Sequence, residues 1–208
     1  PDPNPAIGIA ERRRLYNLPG STWDSYDKTL LSAGGGIFAR SAKRVDLTPQ
    51  MRDSLGTETT VATPAELIKI ILQAPVDLLW NGGIGTYVKG AGESHDAAGD
   101  RTNDAVRVDG RDLRCKVVGE GGNLGLTQRG RIEWALTGGR DNTDFIDHSG
   151  GVHWSDREVN LKILLGMAEE RGDLDRPARD ELVAAVAEDV VQAILYDNFL
   201  QAQILSQE

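Results

Sequence analysis

Three short apolar runs in this chain end directly in loops rich in glycine, and this repeated pattern restricts the fold more than any other feature. Residues 76–80 (VDLLW) run into NGG, residues 115–118 (CKVV) run into GEGGN, and residues 144–146 (DFI) run into DHSGG. Short apolar runs bounded by such loops are typical of buried strands. Helical patterns separate them, and strands that alternate with helices form parallel sheets with crossover helices. We therefore predict a partial Rossmann-like α/β fold.

The clearest helix signal lies just before the first of these strands. Thr63 is followed by Pro64 and, three residues after the threonine, by Glu66. This spacing forms a capping box with proline at the first helical position. It predicts a helix from Pro64 to about Ala74.

Other segments have weaker but readable patterns. A short helix is predicted from Pro49 to a terminating glycine at position 56, and another helix over residues 128–136. The polar segment 89–114 is interpreted as a surface excursion. From residue 180 onward one helical face stays apolar, which predicts a C-terminal helical segment. The apolar positions of that face are Leu182, Val183, Val186, Val190 and Ile194.

Composition excludes several kinds of partner. The net charge of −9 and the pI of 4.9 argue against nucleic acid, whose binding requires clustered lysine and arginine. Cys115 is the single cysteine, so an intrachain disulfide is impossible and a reducing compartment fits. No stretch approaches the roughly 20 apolar residues of a membrane span. We therefore predict a cytoplasmic protein that binds neither nucleic acid nor membrane.

The two ends of the chain are unusual for a complete protein. The chain opens with PDPNP and no methionine, and it stops at Glu208 within an apolar-periodic pattern. We expect it to be a piece of a longer protein. Part of the chemistry would then lie outside the piece.

The glycine loops do not form a complete dinucleotide fingerprint. That fingerprint requires G-x-G-x-x-G after a strand and before a helix. The glycines at 34 and 36 lack a preceding strand, and the pairs at 83 and 85 and at 119 and 121 lack the third small residue. Taken alone, each loop is better explained as a tight connection between a strand and a helix.

A histidine-containing cluster offers two further interpretations, and neither fits. His148 and His153 with Asp147 and Asp156 match no common metal-ligand spacing, so we predict no metal site. Ser149, His148 and Asp147 are adjacent in the sequence. A nucleophilic triad instead needs side chains that converge from separate parts of a fold.

Longer segments resemble the bacterial large NAD-dependent glutamate dehydrogenases. They are VDLLWNGGIGTYVKG, KVVGEGGNLGLTQRGRIEWA and NTDFIDHSGGVHWSDREVNLKILL, and the likeness includes SYDKTLLSAGGGIFARSAK near the start. The resemblance implies that residues 1–165 are the latter part of an NAD-binding Rossmann-like domain. Residues 166–208 would begin a C-terminal helical region. The glycine fingerprint, the catalytic lysines and the catalytic aspartate of the family would lie upstream, so the resemblance implies no catalytic residue in this chain.

The resemblance also implies which residues bind cofactor and substrate. The cofactor-binding residues would be Asn81, Gly82, Gly83, Glu120, Gly121 and Asn123. Asn123 would hydrogen-bond the nicotinamide ribose of NAD. Val152 and Ser155 match positions that contact the side chain of glutamate.

Ser155 has two interpretations, and both can hold at once. In the structural one, Ser155 and Glu158 form a capping box at the start of a helix. In the functional one, the glycines at 150 and 151 let the backbone approach a ligand. The helix N-terminus then faces a substrate carboxylate.

The resemblance implies part of an NAD-dependent enzyme that oxidatively deaminates L-glutamate to 2-oxoglutarate and ammonium. We also expect a homo-oligomer formed through the longer protein. One alternative is a dehydrogenase of another amino acid, which would differ in the pocket near Val152 and Ser155. A second alternative is a catalytically silent nucleotide-binding or assembly module.

Overall fold

A computed structural model describes residues 1–207. Over this range the α-helices are α1 (Pro5–Tyr16), α2 (Pro49–Leu55), α3 (Pro64–Leu72), α4 (His95–Ala98), α5 (Gln128–Ala135), α6 (Asp144–Asp147), α7 (Ser149–Arg171) and α8 (Arg176–Leu205). The strands are β1 (Val45–Asp46), β2 (Val61–Ala62), β3 (Leu78–Asn81), β4 (Val88–Lys89), β5 (Val108–Asp109) and β6 (Val117–Glu120). Within the described range, no helix combines the length and the apolar composition needed to cross a bilayer.

The strands confirm the predicted α/β class with short parallel pairs. β4 pairs with β5 in parallel, and β3 pairs with β6. Lys116 N donates to Val76 O (3.1 Å) and Val117 N donates to Asp77 O (3.0 Å), so residue numbers rise together along both segments. This is the pattern of a parallel pair. The strands predicted at 76–80 and 115–118 are therefore confirmed in position, although each begins two residues later than predicted and continues into its loop.

The chain forms two compact units, which are described separately. The first comprises Pro1–Leu79, Gly85–Val118 and Leu126–Arg140. The second comprises Trp80–Ile84, Gly119–Gly125 and the chain from Asp141 onward. The predicted boundary between residues 165 and 166 concerns the domains of a longer protein and stays a prediction.

Two apolar clusters form the core of the first unit. The larger consists of Val88, Val108, Leu113, Cys115, Val118, Leu126 and Trp134. The smaller consists of Val45, Leu47, Ala62 and Leu67. Val88 is central to the larger cluster because it pairs with Val108 and also forms a parallel bridge with Leu126.

Helix α5 belongs to the first unit and packs against its neighbours there through close backbone contacts. A Cβ added at Gly130 would lie 2.8 Å from the carbonyl carbon of Lys89, and one added at Gly110 would lie 2.2 Å from Gly130 O. Real Cβ atoms do not approach backbone so closely. Both glycines are therefore required by the close approach of backbone segments.

The prediction that residues 89–114 form a surface excursion is wrong, because the segment is built into the first unit. The Arg107 side chain has no exposed surface and donates to Thr86 O (2.8 Å) and to Asp104 Oδ1 (2.6 Å). Lys89 Nζ lies 2.5 Å from Asp109 Oδ1. Charged groups can be buried when they are paired, so internal pairing lets a polar sequence fold inward.

The helices predicted from local signals are confirmed. At α3, Thr63 Oγ1 accepts from Glu66 N (3.3 Å), and the Glu66 carboxylate accepts from Thr63 N (2.7 Å). The hydrogen bonds that the Glu66 carboxylate accepts from the N–H and from the hydroxyl of Thr63 lower its pKa. α2 ends at Leu55 and is capped by Gly56, whose φ of 59° is left-handed. α5 lies within the predicted range 128–136, and Thr127 accepts from Gly130 N at its start (3.0 Å).

The prediction of a third strand at 144–146 is wrong, because these residues belong to the single-turn helix α6. Asp144 and Asp147 lie three residues apart, and a helical turn brings both to one face. There Asp144 Oδ2 accepts from Leu124 N (2.9 Å), and Asp147 Oδ2 accepts from Glu120 N (3.0 Å). In a strand the two side chains would point to opposite faces.

The capping box predicted at Ser155 is also wrong, because α7 already begins at Ser149. A Cβ at Gly151 would lie 2.2 Å from His148 Cε1, so the histidine ring covers the first helical turn. Ser149 Oγ donates to Asn198 Oδ1 of α8 (2.5 Å). These contacts fix the earlier start, and Ser155 lies inside the helix.

Helices α7 and α8 pack against each other in the second unit, and α8 confirms the helix predicted from residue 180. Asp197 Oδ2 accepts from Arg157 Nη2 (2.5 Å) and lies 3.3 Å from His153 Nδ1. Glu158, which was predicted to complete the cap, instead pairs with Lys162 (2.5 Å). A cleft of about 430 Å³ lies between the helices, and its apolar lining includes Trp154, Leu161, Leu165, Val183, Val186 and Val190.

Candidate functional site

All the residues predicted to bind cofactor or substrate lie in the second unit. The loops that follow β3 and β6 meet there, because Gly121 N donates to Asn81 O (2.7 Å). A Cβ at Gly122 would lie 1.9 Å from Gly83 O. Two loops that approach each other this closely require glycine at position 122, and together they form a surface of backbone and small residues.

The amide of Asn81 lies at the contact between these loops. Asn81 Nδ2 is buried and has no hydrogen-bond partner among residues 1–207. A Cβ at Gly125 would lie 1.9 Å from Asn81 Nδ2 and 3.2 Å from Glu120 Oε2. Glycine at position 125 therefore makes room for both polar side chains. A buried amide donor with no partner is uncommon, since it forfeits the bonds it would make with water.

Glu120 is placed beneath the loop rather than on its surface. The residue is fully buried, with 0% of its surface exposed. Its backbone N–H donates to Asp147, and its carboxylate lies close to Gly125. The arrangement makes Glu120 part of the support of the loop.

Asn123 and Leu124 form the tip of the second loop. Asn123 is exposed, and an amide side chain can both donate and accept hydrogen bonds. Among residues 1–207, Leu124 is the one non-glycine residue with a positive φ, at 53°. Such a conformation disfavours a branched apolar side chain. The bond from Leu124 N to Asp144 holds it in place.

Trp80 borders both loops and was missed by the sequence analysis. A Cβ at Gly121 would lie 2.6 Å from Trp80 Cζ2, and one at Gly82 would lie 2.9 Å from Trp80 Nε1. The indole therefore covers two glycines, yet 60% of the residue is exposed. A tryptophan directly before a glycine loop is the sequence signal that could have identified it.

Val152 and Ser155 form a separate pair on α7. Residues three apart lie on the same helical face, and both residues are exposed, Val152 by 37%. The short helix α6 precedes α7 directly and carries the carboxylates that bond the Gly119–Gly125 loop. The site residues thus form a loop group and a helix pair.

Metal ligation has no geometric support in the described part of the chain. No group of three or more histidine, cysteine, aspartate or glutamate side chains within residues 1–207 is arranged to hold an ion. His153, one residue of the cluster considered above, is instead engaged by Asp197 and Gln201.

Comparison with known proteins assigns the chain to a family. The family model described as "Bacterial NAD-glutamate dehydrogenase, catalytic domain" matches residues 1–208. The chain belongs to this family. The resemblance seen in its glycine loops is therefore confirmed, and so is the likeness that extends through the N-terminal segment.

Three relatives in this glutamate dehydrogenase family are each named "NAD-specific glutamate dehydrogenase". The relative from Halomonas elongata is 53% identical over 205 residues, and the one from Pseudomonas aeruginosa is 53% identical over 206 residues; each match covers 99% of this chain. The relative from Mycobacterium tuberculosis is 48% identical over 204 residues and covers 95% of this chain. The chain spans 13% of the length of each of these relatives.

Proposed function

We propose that this chain forms part of the NAD-binding region of a glutamate dehydrogenase. The reaction converts L-glutamate to 2-oxoglutarate and ammonium, and NAD, when bound, supplies the hydride acceptor. The family match over residues 1–208 carries the proposal. Residues 1–165 would be the latter part of the NAD-binding domain, and residues 166–208 would begin the helical region.

The loop group fits a dinucleotide in its chemistry. A Rossmann-like sheet binds its ligand beyond the carboxyl ends of its strands, where the loops after β3 and β6 lie. Asn81, Gly82, Gly83 and Gly121 would offer backbone and small side chains to the cofactor. Asn123 is exposed and would hydrogen-bond a ribose hydroxyl. The unpartnered donor of Asn81 supports a polar ligand at this surface.

Glu120 has a supporting role in this proposal. Because the residue is fully buried, it would act on the cofactor site by holding the loop from within. Val152 and Ser155 would contact the side chain of glutamate, with Ser155 directed at its carboxylate. Their common face on α7 supports this pairing.

We assign no catalytic residue to this chain. The catalytic lysines and the catalytic aspartate implied by the resemblance would be supplied by another part of the enzyme. The residues described here would bind and orient the two reactants, so that the α-carbon of glutamate faces the nicotinamide ring.

The cellular setting is also part of the proposal. A single, buried cysteine fits a reducing compartment, which supports the cytoplasm. The charge of −9 supports small-molecule reactants over nucleic acid, and we propose no membrane partner. We further propose that the enzyme works as a homo-oligomer.

The decisive experiment is an assay of the full-length enzyme for glutamate-dependent reduction of NAD. We expect turnover with L-glutamate and little with other amino acids, since the three relatives are all named for glutamate. A preference for another amino acid would favour the alternative dehydrogenase. The absence of NAD reduction with any amino acid would favour the silent nucleotide-binding or assembly module.

A further inference from the structure

We propose that Asp144 and Asp147 of α6 are positioning residues that hold the Gly119–Gly125 loop in its cofactor-binding conformation. The inference rests on the proposed function of that loop. It assigns a role to two carboxylates that the resemblance did not include. Neither residue is proposed to touch the cofactor.

The two carboxylates hold the loop at both of its ends. Asp147 Oδ2 accepts from Glu120 N (3.0 Å) and Asp144 Oδ2 accepts from Leu124 N (2.9 Å). Asp147 is itself held, because its second oxygen accepts from Asn142 Nδ2 (3.0 Å). Hydrogen bonds from backbone N–H groups to a carboxylate are among the stronger ones in proteins. Asn123 lies between the two anchored positions.

The bond to Asp144 acts at the most strained position of the loop. Leu124 has a φ of 53°, a conformation that only glycine and, less often, asparagine or aspartate adopt readily. Without a partner for its N–H, the leucine backbone is expected to return to an ordinary conformation. That change would move the neighbouring Asn123.

The same short helix is also connected in sequence to the proposed substrate-binding residues. α6 is followed by His148 and then by α7, which carries Val152 and Ser155. A displacement of α6 would therefore shift both the Gly119–Gly125 loop and the start of α7. This arrangement gives the enzyme a short, direct link between its two binding groups.

The test uses the full-length enzyme, three variants that change Asp144, and two variants, Asp147→Ala and Asp147→Asn, that change Asp147. Asp144→Ala removes the oxygen that accepts from Leu124 N, and Asp144→Asn keeps an uncharged oxygen there. The double variant Asp144→Ala with Leu124→Gly also removes the cost of the positive φ at position 124. Asp189→Ala on α8 is the matched control, because Asp189 is an exposed helical aspartate outside the loop contacts. The measurements are NADH binding by fluorescence titration and hydrogen exchange of the peptide covering residues 119–125.

We expect Asp144→Ala to weaken NADH binding about tenfold, the effect of one lost hydrogen bond. Exchange of the 119–125 peptide should quicken in the absence of cofactor. Asp144→Asn should stay within about threefold of the wild type, and Leu124→Gly should restore part of the affinity lost in Asp144→Ala. Asp189→Ala should change neither measurement. At the Glu120 end, we likewise expect Asp147→Ala to weaken NADH binding more than Asp147→Asn does.

The outcomes separate this inference from the function on which it rests. A wild-type enzyme that binds no NADH contradicts the proposed function. A wild type that binds NADH, with Asp144→Ala and Asp147→Ala binding it equally well and exchanging the loop no faster, contradicts the inference alone. If the Asp144→Ala defect is not relieved by either Asp144→Asn or Leu124→Gly, the carboxylate does not act through the loop backbone, and the inference is equally overturned.

Discussion

At the scale of single residues, Asn123 is the exposed polar side chain at the tip of the second glycine loop. We predict that Asn123→Ala weakens NAD binding about tenfold in the full-length enzyme, because one ligand hydrogen bond is worth roughly 1.5 kcal/mol. Titration with NADH measures the change. Asn160→Ala, which alters an exposed asparagine of α7, should leave the affinity unchanged. Wild-type affinity in Asn123→Ala would show that Asn123 does not bind NAD and that the loop only connects two elements.

Ser155 allows a test of the substrate group. Ser155→Asp places a negative charge where the glutamate carboxylate is proposed to lie. At a separation of about 4 Å, the repulsion is roughly 1 kcal/mol in water and about 4 kcal/mol at an effective dielectric of 20. We predict that KM for glutamate rises at least tenfold while KM for NAD hardly changes.

The control for Ser155→Asp is Ser155→Asn, because asparagine matches aspartate in size and has no charge. Ser155 lies within the length of α7 and its side chain is exposed to solvent, so both substitutions should leave thermal stability nearly unchanged. Steady-state kinetics of the two variants, beside their melting curves, complete the comparison. Equal glutamate KM values for the wild type and Ser155→Asp would exclude Ser155 from the carboxylate site.

Site residues differed in how far the sequence identified them. The glycines and Asn123 stand in a recognisable motif, and Asn81 and Gly121, both assigned to the cofactor by the resemblance, are hydrogen-bonded in the structure. The loop contacts of Asp144 and Asp147 were missed because their partners lie 20 and 27 residues earlier in the chain. No local pattern reveals a bond of that range.

At the scale of elements, Gly130 shows how α5 depends on close backbone packing. Gly130→Ala would place a Cβ 2.8 Å from the Lys89 backbone, and we predict a loss of about 1–3 kcal/mol in the free energy of unfolding. Alanine favours helix by about 1 kcal/mol, so the steric term has to exceed that gain. Urea unfolding measures the change.

Gly166 of α7 provides the control, because no atom beyond the adjoining residues and backbone of its own helix lies within 4 Å of a Cβ added there. Gly166→Ala should raise the free energy of unfolding by about 0.5–1 kcal/mol. If Gly130→Ala were equally stabilising, the close approach of α5 to β4 would be refuted.

Elements with local start and stop signals were predicted well, and elements decided by distant contacts were not. The capping box of α3 and the left-handed Gly56 after α2 act within a few residues, so their sequence patterns suffice. The turn at 144–147 is helical because its carboxylates meet a loop far away in the chain. Likewise, the inward folding of residues 89–114 depends on Arg107 reaching Thr86, 21 residues earlier.

At the scale of the whole molecule, the two proposed binding groups contain no residue to which we assign catalysis. We predict that the 208-residue chain alone shows no glutamate-dependent reduction of NAD and binds NADH more weakly than the full-length enzyme. A dinucleotide site needs a glycine turn at a helix N-terminus for its pyrophosphate, and no such fingerprint is complete in this sequence. Absorbance of NADH at a high concentration of the purified chain is the measurement. Sustained turnover would show that the catalytic groups are present in these residues.

The burial of the single cysteine has a consequence for following the motions of the first unit. Cys115 lies in the core with Trp134, and burial raises the pKa of its thiol. Since the thiolate is the reactive form, an alkylating reagent reaches it only when that core opens. These 208 residues therefore contain one natural probe, whose modification rate reports how often the first unit opens under native conditions.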